Sequence, residues 1–410
     1  MLSFLKKFGI FCFLDNNNYD FDKSYECVAG AGVITSVVAG RESEFKDIDG
    51  FCEEACDWIF AHVSYDIKNN FEDLQSSHFD GIEFPDYLFF IPEIVFIVSG
   101  NELKIGTINP YKSEEIYNEI ISYTPAVIKT KSNKTATLKS RFTKEEYVES
   151  VTNIQRHILK GNCYELNFCQ EFYATDFEID PSDVFLKLSE ISPSPFAAFY
   201  KYNEKYLLCA SPERFLKKSG NTIFSQPIKG TAKRNMTDRI DDEQQKENLI
   251  TSPKERSENI MIVDLVRNDL SKICEEGSVF VKSFLQVYSF PHVHQMISTI
   301  SGRISKNISI SEIFLATFPM GSMTGAPKKR VMELIENYER TKRGLFSGTI
   351  GYINPAGDFD FNVVIRSILY NRSTKYLSMQ SGSAITFKSN PENEFEECLM
   401  KISAMKKTLE

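Results

Sequence analysis

The sequence has no hydrophobic run long enough to cross a membrane. The apolar patch near the N-terminus, Phe8–Leu14, is far shorter than the roughly 20 residues that a membrane-spanning helix needs. No small-residue cleavage pattern of a signal peptide accompanies it. The patch therefore predicts an edge strand, and the lack of membrane and export signals predicts a cytoplasmic protein.

An excess of positive charge and paired cysteine motifs are also missing. Lysines and arginines number 47 against 56 aspartates and glutamates, so the net charge is -9. A protein that binds duplex nucleic acid would need a basic face for the phosphates. The nine cysteines are odd in number and form no Cys-x-x-Cys pair, which indicates reduced thiols. The composition leaves a globular protein, and metal-dependent handling of a small anion stays open.

Helix and strand signals do not alternate regularly along the chain. Capping residues predict four helices, which begin near Thr143, Ser252, Pro327 and Asn390. Strand-like runs lie between them, at about 205–210, 222–228, 278–290, 348–354, 361–370 and 376–381. This order favours an α+β fold over a doubly wound sheet.

Composition also predicts how the chain is divided. Residues 1–110 contain short apolar runs separated by polar turns and predict a β-rich N-terminal subdomain. Residues 111–142 are rich in lysine, serine and threonine with little periodicity, which is typical of a linker. The main functional region is predicted to span residues 143–410.

Two glutamates near the start of the last predicted helix are candidates for metal binding. Glu394 and Glu397 are three residues apart and therefore share one helix face. Carboxylates suit a helix N-terminus, so an exposed acidic helix start explains them without any ligand. Mg²⁺, which prefers oxygen ligands and can clamp an anionic substrate, is the alternative.

Two small-residue segments resemble anion-binding loops. Gly321–Lys328 enters a helix, a geometry that aims free backbone N–H groups at an anion, although a plain turn would have the same composition. It is not a nucleotide P-loop, because Ala326 and Pro327 follow Gly325. A second such loop, Ser381–Ala384, is predicted to follow the strand that ends at Gln380.

Three charged side chains have both an ordinary and a chemical interpretation. Arg366 is predicted to lie on the apolar face of strand 361–370, where it needs a carboxylate from a structural acid or from a ligand. Lys229, between Ile228 and Gly230, predicts a semi-buried amine whose pKa is lowered by desolvation, able to act as nucleophile or base. Glu213 is either a surface ion-pair partner or a general acid.

In this order and spacing the segments resemble the chorismate-utilising enzymes, a family of anthranilate, aminodeoxychorismate, isochorismate and salicylate synthases. The resemblance covers about residues 143–410. It rests on several long motifs: Ser211–Phe215, Pro227–Thr231, Glu258–Asn259 leading to Asp264–Asp269, Gly321–Lys328, Ile365–Arg366, and Glu394 with Glu397. It implies an α+β fold in which helices flank a large single-domain β-sandwich core.

The resemblance implies a role for each candidate residue. Glu258, Glu394 and Glu397 would hold Mg²⁺ against the ring carboxylate of chorismate, and Glu213 matches the acid that protonates the departing 4-hydroxyl. The remaining candidates would bind the substrate, mainly its carboxylates: Arg366, Thr324, Gly325, Lys328, Gly382, Ser383 and Ala384.

Lys229 and Asn259 place the chain with the aminodeoxychorismate branch of this family. Anthranilate synthases typically carry alanine and histidine at these two positions. In that branch Lys229 would attack C2 of chorismate, and ammonia would displace it by adding at C4. The product would lead to p-aminobenzoate and folate. Because the chain shows no glutaminase segment with a nucleophilic cysteine, a partner glutamine amidotransferase is expected to supply the ammonia.

Two positions depart from the family pattern. Glu165 stands where amine-adding members usually have glutamine and water-adding members have lysine, and Gln295 stands where many relatives have histidine. Glu165 argues against isochorismate or salicylate synthesis without proving the use of ammonia. Anthranilate synthesis and a non-catalytic chorismate-binding paralogue therefore stay open.

Overall fold

The computed structural model describes residues 1–19, 24–40, 43–109, 112–122, 137–290 and 293–410. Strands in these residues are, in chain order, β1 Ile10–Asp15, β2 Cys27–Ala31, β3 Thr35–Val38, β4 Ile59–Val63, β5 Tyr87–Ile91, β6 Ile94–Ser99, β7 Glu102–Thr107, β8 Lys139–Ser140, β9 Glu165–Ala174, β10 Phe196–Tyr202, β11 Lys205–Ser211, β12 Arg214–Ser219, β13 Thr222–Gln226, β14 Ile228–Lys233, β15 Phe280–Ser289, β16 Val293–Arg303, β17 Gly325–Ala326, β18 Thr349–Ile353, β19 Phe359–Asn362, β20 Ser367–Asn371 and β21 Tyr376–Ile385.

Helices in the same residues are α1 Leu2–Leu5, α2 Asp47–Ala55, α3 Lys68–Glu72, α4 Lys112–Ser122, α5 Lys144–Leu159, α6 Pro181–Ile191, α7 Arg239–Thr251, α8 Pro253–Ser271, α9 Ile310–Thr317, α10 Lys328–Tyr338 and α11 Pro391–Lys407. Two short 3-10 helices cover Tyr65–Ile67 and Gly321–Met323. None of the helices in the described part of the chain is both long and apolar enough to cross a membrane.

The strands form two large antiparallel sheets. The first has eleven strands in the order β17-β9-β21-β20-β11-β10-β1-β2-β6-β7, with β8 beside β9. The second has ten strands in the order β14-β16-β13-β12-β19-β18-β4-β5-β3, with β15 beside β16. The predicted α+β class with a β-sandwich core is confirmed.

Side-chain alternation along β1 shows why the first sheet is covered on both faces. Cys12 belongs to the apolar cluster that also contains side chains of the second sheet, such as Phe60 and Ile350. Its neighbours Phe11 and Phe13 point to the opposite face and join a cluster that contains helix residues. The sheet therefore buries apolar side chains against the second sheet on one face and against helices on the other.

The apolar patch Phe8–Leu14 does not form an edge strand, so that prediction is wrong. β1, which begins at Ile10, is hydrogen-bonded on both sides, to β10 and to β2. Nothing local in the patch distinguishes an edge strand from an inner one, because the second neighbour comes from nearly 190 residues further along the chain.

The four helices predicted from capping residues are confirmed in α5, α8, α10 and α11. Thr143 and Glu146 form both hydrogen bonds of a capping box at the start of α5. At α8 the Ser252 side chain accepts from the Glu255 backbone N–H, and at α11 Asn390 accepts from two backbone N–H groups. Local hydrogen-bonding chemistry therefore predicted where α5, α8 and α11 begin, whereas α10 follows Pro327 without a side-chain cap.

The division of the chain at residues 110 and 142 stays a prediction. Strands of the first 110 residues are built into both sheets, where β1 and β4 lie beside β10 and β18. The predicted linker contains α4 and β8, and its lysines at 129, 131 and 134 lie outside the described residues.

Candidate active site

Glu213 and Arg366 lie on two segments that pass from one sheet to the other. The first segment, Pro212 and Glu213, joins β11 of the first sheet to β12 of the second. The second, residues 363–366, joins β19 of the second sheet to β20 of the first. Backbone hydrogen bonds tie the segments together, from Val363 to the Glu213 carbonyl at 3.0 Å and from Ala210 to the Arg366 carbonyl at 3.1 Å.

The predicted strand 361–370 is therefore interrupted, which corrects the expected position of Arg366. Arg366 lies between β19 and β20 with a φ of 53°, in the left-handed region, instead of on the apolar face of one continuous strand. Burial lowers the pKa of its guanidinium, and Glu397 partly opposes this effect. The guanidinium makes no hydrogen bond or ion pair with any residue that the structure describes.

Lys229 lies in a β-bulge at the start of β14. Ile228 is paired with Ile297 and Thr231 with Gln295, so the register shifts between these two pairs. Gly230, next to Lys229, has a φ of 92°, a conformation that glycine adopts without strain. A bulge redirects the side chain that it carries. The Pro227–Thr231 motif thus contains both the lysine and the glycine that shapes its backbone.

The Lys229 ammonium is paired with Glu165. The Lys229 Nζ donates a hydrogen bond to Glu165 Oε1 at 2.9 Å, and the Glu165 side chain is only 1% exposed. Burial by itself would lower the pKa of Lys229, as the sequence predicted. The carboxylates of Glu165 and Glu258 outweigh burial and raise it, so the predicted direction is wrong.

Glu213 has the properties of an acid that is partly protonated near neutral pH. Burial raises the pKa of Glu213 to about 7, and the nearby Ser322 hydroxyl and the positive charge of Lys229 only partly oppose this effect. The group can therefore carry a proton at neutral pH in a way that a solvated glutamate cannot. The ordinary explanation, a surface ion pair, does not fit a side chain that is buried.

Glu258 and Glu394 face a common lysine. Lys254 Nζ lies 3.1 Å from Glu394 Oε1 and 3.9 Å from Glu258 Oε1. Glu258 Oε1 and Glu394 Oε2 are buried and have no hydrogen-bond partner among the described residues. Burial raises the pKa of Glu258 to about 8, with Lys229 as the main opposing charge. Buried carboxylate oxygens without partners are the donor type that a hard cation such as Mg²⁺ takes.

Glu397 is held apart from this pair. Its Oε1 atom lies 2.7 Å from Lys401 Nζ, which also donates to the Gly382 carbonyl at 2.8 Å. Burial would raise the pKa of Glu397, but Lys401 lowers it on balance. In the described part of the chain no three acidic, histidine or cysteine side chains converge closely enough to hold a metal. Instead, lysines neutralise the three glutamates.

The first small-residue segment packs against the strand that carries Glu165. Gly325 pairs with Leu166, and a Cβ at Gly325 would lie 2.1 Å from the Glu165 carbonyl oxygen. Arg343 anchors the segment from the other side, since its guanidinium donates to the Met323 carbonyl at 2.7 Å. Thr324 is fully buried, and its carbonyl accepts from the Asn167 backbone at 2.8 Å.

The second small-residue segment is not a loop, which corrects the prediction for Ser381–Ala384. β21 continues to Ile385, and Gly382, Ser383 and Ala384 pair with residues of β9. The neighbouring strand β20 ends its pairing at Met379. These residues therefore have a strand neighbour on one side only, and Lys401 binds the Gly382 carbonyl.

Lys328 and Gln295 each have structural partners in the described residues. Lys328 Nζ binds Asp269 Oδ2 at 2.6 Å and the Thr317 carbonyl at 3.1 Å, and burial lowers the pKa of this lysine. Gln295 is buried in β16 opposite Thr231. These contacts give Lys328 a structural role, and its predicted contact with the substrate stays a prediction.

Buried polar atoms without partners are concentrated around these residues. Six of the nine such atoms found in the described residues belong to candidate residues or their immediate neighbours: Glu165 Oε2, Glu258 Oε1, Asn259 Nδ2, Ser322 Oγ, Ser381 Oγ and Glu394 Oε2. Buried polar atoms are normally hydrogen-bonded, so these exceptions show where water or a polar ligand can complete the site.

Lys254 and Lys401 were missed by reasoning from the sequence. Each lies four residues from a candidate glutamate on the same helix, Lys254 before Glu258 and Lys401 after Glu397. This spacing brings side chains together and was readable in the sequence. Only the structure shows that Lys254 also reaches Glu394 on another helix.

A separate cavity of about 60 Å³ lies between the sheets, outside this site. Its lining includes Tyr25, Arg214, Tyr352 and Asp360. The Arg214 guanidinium is bound to both carboxylate oxygens of Asp360, at 2.8 and 3.0 Å. Arg214 and Asp360 are therefore paired with each other, while the acidic residues Asp15 and Glu26 also line the cavity.

Comparisons with known proteins agree with the site. The model of the chorismate binding enzyme family matches residues 17–407. "Aminodeoxychorismate synthase component 1" of Salmonella typhimurium is 34% identical over 84% of this chain and 75% of its own length. "Aminodeoxychorismate synthase, chloroplastic" of Arabidopsis thaliana is 42% identical over 68% of this chain, which spans 30% of that protein.

A solved structure has the same fold. Anthranilate synthase component I from Streptococcus pneumoniae TIGR4 superposes with a TM-score of 0.81 at 23% identity, covering 95% of this chain and 94% of that one. The family resemblance seen in the motifs is confirmed. Sequence, fold and the position of the family motifs at one buried polar site agree, and the chain belongs to the chorismate-binding enzyme family.

Proposed function

We propose that this protein is an aminodeoxychorismate synthase component I, which converts chorismate and ammonia to 4-amino-4-deoxychorismate, a precursor of p-aminobenzoate and folate. Lys229 carries the assignment, because the family's anthranilate synthases typically have alanine at this position. Its burial in a bulge beside Glu165 and near Glu213 supports a chemical role over that of a solvated surface lysine. The relatives named as aminodeoxychorismate synthases support the same branch.

In the proposed reaction, Lys229 and Glu213 act together on chorismate. The Lys229 ammonium first passes a proton to Glu165 Oε1, the acceptor to which it is hydrogen-bonded. The free amine then attacks C2, both ring double bonds shift by one position, and the C4–O bond breaks. Glu213 donates its proton to the departing hydroxyl, which leaves as water. A pKa of about 7 makes the protonated form of Glu213 available near neutral pH.

Ammonia completes the cycle. It adds at C4, both ring double bonds shift back, and the bond between C2 and the Lys229 nitrogen breaks with its electron pair returning to the lysine. Glu213, now ionised, accepts the proton that the new C4 ammonium loses. Glu165 returns its proton to Lys229. The balance is chorismate plus ammonia to aminodeoxychorismate plus water, with every protein group restored.

The candidate carboxylates fit a magnesium ion. Glu258 and Glu394 would hold it with their unpartnered buried oxygens, and Glu397 would join them once released from Lys401. When bound, Mg²⁺ supplies positive charge that fixes and neutralises a carboxylate of the substrate. Arg366, which has no protein partner among the described residues, would bind a second carboxylate. Thr324, Gly325, Gly382, Ser383 and Ala384 would surround the ligand.

A glutamine amidotransferase subunit is proposed as the source of ammonia, since the bacterial relatives are named as component 1. The cytoplasm stays the predicted location. With glutamine as the nitrogen source, activity is expected to require such a partner, whereas free ammonium should support the reaction without it. Equal rates with glutamine and with ammonium in the purified chain would contradict the partner requirement.

The function is tested by identifying the product. The purified protein is incubated with chorismate, Mg²⁺ and an ammonium salt, and products are separated by liquid chromatography and mass spectrometry. We expect aminodeoxychorismate without release of pyruvate. An ortho-aminobenzoate formed with pyruvate would show an anthranilate synthase, and chorismate binding without turnover would show a non-catalytic paralogue.

Lys229→Ala tests the role of the nucleophile, with Lys233→Ala as its control on the exposed end of the same strand. We expect the first variant to lose aminodeoxychorismate formation and the second to keep it. A covalent adduct at Lys229, sought by peptide mass spectrometry after acid quenching without ammonia, would support the mechanism. Full activity of Lys229→Ala would exclude it.

A further inference from the structure

Lys254 has an unusual position between two buried carboxylates. It lies in the first turn of α8, one turn before Glu258 on the same helix, and it reaches across to Glu394 on α11. Its ammonium is within ion-pair distance of both, at 3.9 and 3.1 Å. No other lysine in the described part of the chain pairs with both of these glutamates.

The two glutamates need a cation at this place. Their side chains are only 7% and 2% exposed, and each has an oxygen without a hydrogen-bond partner. When both carboxylates are ionised they repel each other and have lost hydration, so a nearby positive charge stabilises the ionised pair. Lys254 supplies it in the structure, where its ammonium binds one oxygen of Glu394 and leaves the other free.

Lys254 itself is far less confined than the carboxylates. Its side chain is 40% exposed, so the ammonium can swing into water on its flexible four-carbon stem. Water would rehydrate the released charge, whereas the glutamates on two packed helices have no such freedom. The two glutamates are therefore held in place, whereas the Lys254 ammonium can move.

We propose that Lys254 is a tethered counter-ion of the magnesium site, which pairs with Glu258 and Glu394 in the metal-free protein and moves into solvent when Mg²⁺ binds. This inference rests on the metal assignment in the proposed function. A cation that must be displaced weakens the binding of its competitor. Lys254 therefore sets the magnesium affinity and keeps the empty carboxylates from repelling each other.

The charges of Lys254, Glu258 and Glu394 agree with a replacement of the ammonium by Mg²⁺. The Lys254 ammonium lies 3.1 Å from a Glu394 oxygen and 3.9 Å from a Glu258 oxygen, where it compensates both carboxylates. An ammonium and Mg²⁺ that lie against the same two carboxylates repel each other at short range. On this proposal, metal binding therefore displaces the Lys254 ammonium.

Lys254→Met tests the proposal, because methionine keeps a similar length and apolar stem without the charge. Mg²⁺ alone is titrated calorimetrically into the metal-free protein, and thermal unfolding is followed with and without Mg²⁺. We expect the magnesium Kd to fall about fivefold, the change that corresponds to an ion pair of about 1 kcal/mol. The midpoint of unfolding should fall without Mg²⁺, and Mg²⁺ should raise it more than in the unchanged protein.

Two control variants separate charge from other effects. Lys254→Arg keeps the positive charge, and its magnesium Kd should stay within about twofold of the original value. Lys144→Met removes a lysine of α5 whose ammonium lies 3.1 Å from Glu396. Glu396 is on α11, as Glu394 is, but this pair lies on the exposed surface. Lys144→Met should leave the Kd unchanged, because that pair does not touch the candidate metal ligands.

The outcomes distinguish this inference from the metal assignment itself. If the unchanged protein binds Mg²⁺ and Lys254→Met binds it equally or more weakly, the counter-ion role is wrong and the metal site stands. A loss of chorismate affinity with the same magnesium Kd would make Lys254 a substrate ligand and would also overturn the proposal. If none of the variants binds Mg²⁺, the metal assignment fails, and this inference fails with it.

Discussion

Lys229 and Glu165 form a largely buried ion pair of 2.9 Å that joins the two sheets of the sandwich. Lys229 comes from the bulge at the start of β14 in the second sheet, and Glu165 is the first residue of β9 in the first. Only one oxygen of Glu165 is used, and the other is buried without a partner in the described residues. The pair therefore holds the lysine as an ammonium and leaves a free acceptor beside it.

Glu165→Gln is expected to lower the pKa of Lys229. The Glu165 carboxylate is the largest single contribution that raises this pKa, and a neutral amide of the same shape removes it. A larger fraction of the lysine is then uncharged at a given pH, so Lys229 should react faster with formaldehyde and a hydride donor. The measurement is the extent of reductive methylation at Lys229 between pH 7 and 10, by peptide mass spectrometry.

The methylation of Lys233, exposed on the same strand, serves as an internal reference and should not change. A Lys229 labelling profile that is identical in Glu165→Gln and in the original protein would mean that the ion pair does not control the charge of the lysine.

Glu213 should make the protein less stable as the pH rises towards 7. Its folded-state pKa is raised from 4.5 to about 7, so between these pH values the folded protein binds a proton that the unfolded chain has lost. The free energy of unfolding therefore falls with rising pH in this window, by at most about 1.4 kcal/mol per pH unit from this group. Glu213→Gln should remove that part of the slope.

Urea denaturation of the metal-free protein at several pH values from 4.5 to 8 measures this slope. Glu258, whose pKa is raised to about 8, contributes a slope of the same sign that Glu213→Gln retains. Glu276→Gln, at an exposed position, is the control and should reproduce the original profile. An unchanged slope in Glu213→Gln would show that Glu213 is ionised in the folded protein throughout the window.

Gly325→Ala should destabilise the protein and displace the small-residue segment. A Cβ at this position would lie 2.1 Å from the Glu165 carbonyl oxygen, a backbone atom that cannot move aside on its own. The backbone φ of 138° is also unfavourable for alanine. We expect a loss of about 3 kcal/mol or more in the free energy of unfolding, measured by urea denaturation.

Gly161→Ala is the matched control, because Gly161 has a φ of 77° but no atom within 4 Å of the position that a Cβ would take. It should cost only about 1 kcal/mol, from the backbone conformation alone. Equal losses in the two variants would mean that the contact between Gly325 and Glu165 carries no steric constraint.

Helix starts were predictable because their causes are local. The capping chemistry of Thr143 and Asn390 acts within three residues of the chain, and both helices begin where it indicates. Strand neighbours were not predictable in the same way. β1 looked like an edge strand because the residues that bond it on its second side, in β10, are remote in sequence.

For the candidate site, residue types and motifs alone indicated the glutamates, Lys229 and Arg366. The contacts and pKa shifts of these side chains could not be predicted, since they depend on residues from different helices and strands. Arg366 has a left-handed φ because its segment leaves one sheet and enters the other. The hydrophobic periodicity of the sequence gives no sign of this change of sheet. The run 361–370 therefore resembles one continuous strand in the sequence, although it contributes β19 to the second sheet and β20 to the first.

By itself the sequence determined the family, the α+β class and the candidate site residues, because motifs, composition and helix caps are properties of residues that are close in the chain. Only the tertiary structure decided that Glu165 pairs with Lys229, that the pKa of this lysine is raised and that Lys254 spans two glutamates. Electrostatic effects depend on distances in space, and those distances are set by two sheets whose contacting strands lie far apart in the chain.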